Sequence, residues 1–125
     1  MQNELTKAEE QIMQILWDKE KAFVKDIIDE IPKPKPAYNT VSTIIRTLER
    51  KKFVGHKSYG NSHQYFPTVN KAEYTKFFMK RVISNYFDNS LQQMVSFFSK
   101  DKDMTINEVD EAIKFMQQIK KQKKS

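Results

Sequence analysis

Pro36 to Lys52 reads PAYNTVSTIIRTLERKK, and no other stretch limits the fold so tightly. Val41, Ile44, Ile45 and Leu48 recur at i, i+3, i+4 and i+7, which is one face of an α-helix. The other face carries Asn39, Thr40, Ser42, Thr43, Arg46 and Arg50, short hydrogen-bonding side chains and guanidinium forks with almost no acid among them. A helix that buries the first face and offers the second suits a nucleic-acid groove. An ordinary amphipathic helix with a solvated polar face gives the same pattern, so the surroundings must decide.

Charge placement favours the groove. The net charge is +6. Residues 1–32 hold four lysines against eight acids, whereas residues 33–57 hold seven bases against Glu49 alone. Residues 58–70 carry no charge, and residues 71–125 hold eleven bases against seven acids. The positive excess therefore gathers around the helix over 37–52, the electrostatic footprint of a polyanion partner.

The flanking elements follow from period and punctuation. Thr6 and Glu9 form a capping box that opens a helix. Ala8, Ile12, Ile15 and Leu16 mark its inner face to about Lys19, with Trp17 as an anchor. Ala22-Phe23-Val24 is a short β-like step. Val24, Ile27, Ile28 and Ile31 give a second helix, which Pro32 stops. Lys33-Pro34-Lys35-Pro36 is a stiff basic connector; a short proline-rich ligand for another domain is the weaker reading. Beyond Lys52 the spacing becomes that of strands, at 53–58 and 63–66, around a turn at Tyr59-Gly60-Asn61-Ser62. Both glycines of the chain, Gly55 and Gly60, fall in this hairpin, where tight turning or positive φ is useful.

The predicted fold is mainly α with a small β-hairpin: a winged helix-turn-helix over 1–69, then a three-helix dimerisation arm over 70–125 with a basic C-terminal tail. Asn70 caps the arm's first helix, Asp88-Asn89-Ser90 breaks the run, and Asp101 to Met104 is a charged loop. Thr105 and Glu108 form a second capping box, and Lys120 to Lys124 is expected to fray. The arm has no partner layer of its own, and open in water it would expose a large apolar area at about 25 cal/mol per Å². A second copy is the expected cover, through Tyr74, Phe77, Phe78, Ile83, Phe87, Leu91, Met94, Val95, Phe98, Val109, Ile113 and Met116. The alternative is an arm folded back on its own winged helix.

The 125 residues contain no cysteine, which removes disulfides, thiolate metal sites and cysteine nucleophiles. MQNELTKAEE lacks the basic and apolar regions of a signal peptide, and no apolar run approaches the roughly 18 residues of a membrane span. The chain reads as cytoplasmic, with no membrane insertion. His56 and His63 can face each other across the hairpin, but no third ligand lies near, so no metal is expected. Glu9/Glu10 and Asp29/Glu30 are adjacent in sequence and do not converge on one point. No glycine-rich phosphate loop and no Ser/His/Asp spacing is present. Neither an enzyme nor a cofactor is expected.

The order of pieces resembles the penicillinase repressor family, the BlaI/MecI type of transcriptional repressor. The matching residues are Leu5 to Trp17, Val24-Lys25-Asp26-Ile27, Tyr38 to Thr43 leading to Leu48, Lys51-Lys52-Phe53-Val54 and Tyr65-Phe66-Pro67. The likeness spans the first 70 residues well and the arm by helix count and apolar pattern. It implies a dimeric repressor seated on a palindromic operator. It also implies, for the β-lactam branch, proteolytic inactivation in the arm after a membrane metalloprotease receptor senses antibiotic. The family cut falls at an Asn-Phe bond; the corresponding place here is Ser96-Phe97. Copper-sensing relatives carry C-terminal cysteine motifs, and this chain has none.

Docking of a helix-turn-helix puts the second helix of the pair in the major groove, N-terminal residues toward base edges. Asn39, Thr40, Ser42, Thr43 and Arg46 are the expected base contacts on double-stranded operator DNA. Lys33, Lys35, Arg50, Lys52, Lys57, Tyr59 and Asn61 are the expected backbone contacts, which position without specifying. Two other classes fit less of the sequence: a protein-interaction adaptor, and a small-molecule-sensing regulator with a cleft between arm and wing.

Overall fold

The computed structural model describes residues 4–100 and 104–124, the side chain of Lys124 excepted. The helices are α1 (Lys7–Lys19), α2 (Val24–Glu30), α3 (Tyr38–Arg50), α4 (Lys71–Tyr86), α5 (Leu91–Lys100) and α6 (Ile106–Lys124). The strands β1 (Val54–Tyr59) and β2 (Ser62–Pro67) pair antiparallel, with Val54 opposite Pro67 and Tyr59 opposite Ser62. Gly60 turns the hairpin at φ +60°, a conformation that L side chains resist. Gly55 serves differently: a Cβ there would meet the Phe66 ring at 3.0 Å. Ala22 bridges Tyr65 through paired main-chain bonds of 2.9 and 2.8 Å, so the expected β-like step ties the wing's base to the helices, while Val24 already opens α2.

The chain forms two compact units, Met1–Phe78 and Met79–Ser125. The core of the first is Ile12, Met13, Leu16, Ala22, Val24, Ile27, Ile31, Val41, Ile45, Leu48, Phe53, Val54, Tyr65 and Tyr74. α1 begins as its capping box demands: the Thr6 hydroxyl accepts the Glu9 amide at 3.2 Å and Glu9 Oε1 accepts the Thr6 amide at 2.9 Å. Its buried face is not the expected one. Ala8 is exposed, and Glu9 and Met13 turn inward beside Ile12 and Leu16. Trp17 packs half-buried against the core and donates its indole N–H to the Val69 carbonyl at 2.8 Å.

The first unit does not stop at residue 69. Lys71 to Phe78 of α4 belong to it, because Tyr74 is only 5 % exposed and sits among Trp17, Phe53, Phe77 and Phe78 at ring separations of 5.8–6.1 Å. Its hydroxyl accepts the Leu5 amide at 2.9 Å. Tyr74 is thus a core residue rather than a dimer contact, and Phe77 and Phe78 spend part of their surface on the same core.

In the second unit, Ser90 caps α5 through the Gln93 amide at 3.1 Å, and Thr105 caps α6 through the Glu108 amide at 3.2 Å. Most of the loop expected over Asp101 to Met104 lies outside the described residues. α6 remains helical through Lys124 rather than fraying after Ile119. Lysines in a last helical turn favour the negative end of the helix dipole, which accounts for the extra turn.

Candidate nucleic-acid interface

α3 separates its two faces as the spacing requires. Val41, Ile45 and Leu48 are buried and Ile44 is half-buried. Asn39, Thr40, Thr43, Arg46 and Arg50 are exposed; Ser42 is half-buried and offers less. The outer stripe is internally ordered. Thr43 Oγ1 donates to the Asn39 carbonyl at 2.8 Å, and Arg46 Nη2 donates to Thr43 Oγ1 at 3.3 Å. One turn on, Thr47 Oγ1 donates to the Thr43 carbonyl at 3.1 Å, and Arg50 Nη2 donates to Thr47 Oγ1 at 3.0 Å. Both guanidiniums therefore lie along the helix on threonine hydroxyls. No ion pair of either arginine is formed among the described residues. The one acid of the helix's latter half, Glu49, faces His56 Nδ1 of β1 instead.

The basic residues divide into those free for a polyanion and those already used. Lys33, Lys52 and Lys57 are exposed, and Lys57 Nζ lies 5.4 Å from the centroid of the Tyr59 ring. Tyr59 is in turn edge-on to Phe23 at 5.9 Å, which steadies the wing tip beside the exposed Asn61. Lys35 departs from expectation. Its ammonium donates to the carbonyls of Ile28, Asp29 and Ile31 at 3.0, 3.1 and 2.8 Å. All three donors of the ammonium are engaged in capping α2, so Lys35 fixes the turn before α3 instead of reaching a phosphate. Two residues escaped the sequence reading. Tyr38 stands exposed on the first turn of α3, and Lys51 turns inward to Glu9.

His56 and His63 do approach across the hairpin, with ring centroids 4.4 Å apart, and Ser58 Oγ lies 3.1 Å from His63 Nδ1. No group of three or more metal-ligating residues capable of holding an ion exists among the described residues.

In the second unit Leu91, Val95, Phe98, Ile113 and Met116 of the expected dimer face are exposed, and Ile83, Phe87, Met94 and Val109 are half-buried. Phe115 and Ile119, not singled out in the sequence, join the exposed apolar set. An apolar groove of about 440 Å³ runs between Leu91, Met116 and Ile119, with Lys120 and Lys123 on its rim. Ser96 is half-buried within α5, while Phe97 is exposed and packs against Phe87 and Phe98, each at 5.6 Å.

A family profile described as Penicillinase repressor matches residues 5–118. The chain belongs to the penicillinase repressor family. It is 28 % identical over 109 residues to the methicillin resistance regulatory protein MecI of Staphylococcus aureus strain N315, covering 86 % of this chain and 89 % of that protein. It is 20 % identical over 122 residues to the penicillinase repressor of Bacillus licheniformis, covering 97 % of this chain and 95 % of the relative. The solution structure of the DNA binding domain of the repressor BlaI superposes with a TM-score of 0.50 at 22 % identity, over 57 % of this chain and 88 % of that domain, which fixes the winged-helix fold. By family the chain is a winged-helix transcriptional repressor and not an enzyme. No helix among the described residues is long and apolar enough to cross a membrane.

Proposed function

We propose that two copies of this chain bind a palindromic DNA operator in the cytoplasm and repress the adjoining gene by occupying it. α3 enters the major groove. Asn39, Thr40, Thr43 and Arg46 face base edges, with a lesser share for Ser42, where Asn suits adenine N6/N7, Arg suits guanine O6/N7 and threonine methyls suit thymine. Arg50, Lys52, Lys33 and Lys57 hold phosphates, and the wing tip at Tyr59 and Asn61 touches the backbone. The observation that carries this reading is the stripe from Asn39 to Arg50: exposed, internally ordered, free of acids, and backed by the buried Val41, Ile45 and Leu48.

The exposed apolar surface of α5 and α6 supports pairing through Leu91, Val95, Phe98, Ile113 and Met116, with Ile83, Phe87, Met94 and Val109 at its margin. Release by a membrane metalloprotease at Ser96-Phe97 rests on family resemblance alone.

Titration of duplex binding against salt tests the proposal. About three phosphate contacts per subunit make about six for the dimer, so log K falls with log salt at a slope near −5. A slope near zero would refute it.

A further inference from the structure

Arg50-Lys51-Lys52 closes α3, and in sequence its three bases look alike. The fold separates them. Arg50 and Lys52 are exposed, whereas Lys51 reaches the carboxylate of Glu9, with Nζ 2.9 Å from Oε1 and 3.0 Å from Oε2. Glu9 is 5 % exposed. The same Oε1 accepts the Thr6 amide at 2.9 Å, so one carboxylate fastens the first turn of α1 to the residue that ends α3. The main chain of Lys51 is itself the cap of α3, its amide donating to the Thr47 carbonyl at 3.0 Å.

A desolvated ion pair is a poor way to gain stability, since an apolar replacement of similar volume often does as well or better. It does supply direction. The rest of α3 is seated by Val41, Ile45 and Leu48, and apolar packing is non-directional. A charged, two-oxygen contact fixes both distance and angle. Contacts with base edges need side chains held to within about half an ångström. Phosphate contacts made by long flexible lysines do not.

Resting on the DNA-reading role proposed above, we infer that the Glu9–Lys51 pair is a positioning device for that reading: it sets the roll and depth of α3 while Lys51 itself contacts no phosphate. Burial alone would push the Glu9 carboxyl up. The Thr6 amide and the Lys51 ammonium outweigh burial and hold it below the ordinary carboxylate value, so the pair stays charged at neutral pH. The charge of Lys51 is thereby cancelled inside the protein and adds nothing to counterion release.

The test uses the full chain, the duplex it prefers from a random pool, and a scrambled duplex of equal length. In Lys51→Met the ratio of specific to non-specific affinity falls by about tenfold, the equivalent of weakening one bidentate base contact. The salt slope stays at the wild-type value. Lys51→Arg, which can still grip both Glu9 oxygens, restores the ratio. Lys52→Met instead weakens both duplexes alike and reduces the slope by about 1. Should Lys51→Met fail to fold, Lys51→Met with Glu9→Gln leaves no charge buried and is read by the same two criteria. A slope reduced by about 1 at unchanged ratio would make Lys51 a phosphate contact and overturn the inference. So would a ratio and slope both unchanged at equal folded fraction. A wild-type chain indifferent to duplex sequence would refute the proposed function and take the inference with it.

Discussion

Tyr74 decides where the first unit ends, and its substitution can be worked through in numbers. Tyr74→Phe removes the hydroxyl that accepts the Leu5 amide at 2.9 Å and leaves the ring contacts in place. A neutral hydrogen bond of this kind contributes about 1 kcal/mol net, and the half-buried Leu5 amide can regain some of that from water. Tyr74→Ala also removes a ring enclosed by Trp17, Phe53, Phe77 and Phe78, for a cost of about 3–5 kcal/mol. In a unit of this size 1 kcal/mol shifts Tm by about 4–8 °C. Tyr74→Phe should therefore lower Tm by about 5 °C and Tyr74→Ala by three times that or more. The readouts are far-UV circular dichroism and the fluorescence of Trp17, the chain's one tryptophan, whose ring lies 5.9 Å from that of Tyr74. Sedimentation equilibrium on the same samples should show dimer dissociation unchanged by Tyr74→Phe. If Tyr74→Ala instead left Tm alone and weakened the dimer, the ring would belong to the interface and the reasoning would be wrong.

Other expectations concern charge and the apolar arm. Because the folded Glu9 carboxyl lies below its unfolded value, its stabilisation is present above the unfolded value and lost as pH falls through the folded one. The urea midpoint should stay flat from neutral pH to about 5 and drop below about 4.5, with a shallower acid limb in Glu9→Gln; identical limbs would contradict this. Phe98→Asp or Met116→Asp puts a charge on the exposed apolar surface of the second unit and should give monomers at micromolar concentration, seen by light scattering; an unchanged dimer would place the interface elsewhere. Lys35→Met should cost about 1 kcal/mol by uncapping α2 without altering the salt slope, whereas a slope lowered by about 1 would return Lys35 to the phosphates.

The sequence carried the parts of the fold that local chemistry dictates. Thr6 with Glu9, Asn70 with Glu73 and Thr105 with Glu108 mark helix starts because the cap and its partner lie three residues apart, and each appears where expected. The outward stripe of α3 was equally legible, since its spacing fixes which side chains share a face. What stayed hidden depends on contacts far apart in the chain. Counting charges cannot show that Lys51 turns toward Glu9, 42 positions away, or that Lys35 spends its donors on α2. Ala8 and Met13 exchanged places because α1 has apolar residues on adjoining faces, and a rotation of one position changes which face is inner. α4 is apolar through much of its circumference. Periodicity shows that such a helix must be covered but not by what, so Tyr74 could not be told from Phe87.

Selection from random duplexes, run in parallel with the wild-type chain and Arg46→Ala, tests the central claim most directly. The wild type should enrich an inverted repeat whose half-site centres lie about 34 Å apart or a multiple of it, one pitch of duplex. Arg46→Ala should recover the same repeat with discrimination relaxed at one symmetric base pair, by about 1–3 kcal/mol. No enriched repeat from the wild type, or an Arg46→Ala motif identical to it with affinity lowered evenly across sequences, would contradict α3 as the reading element.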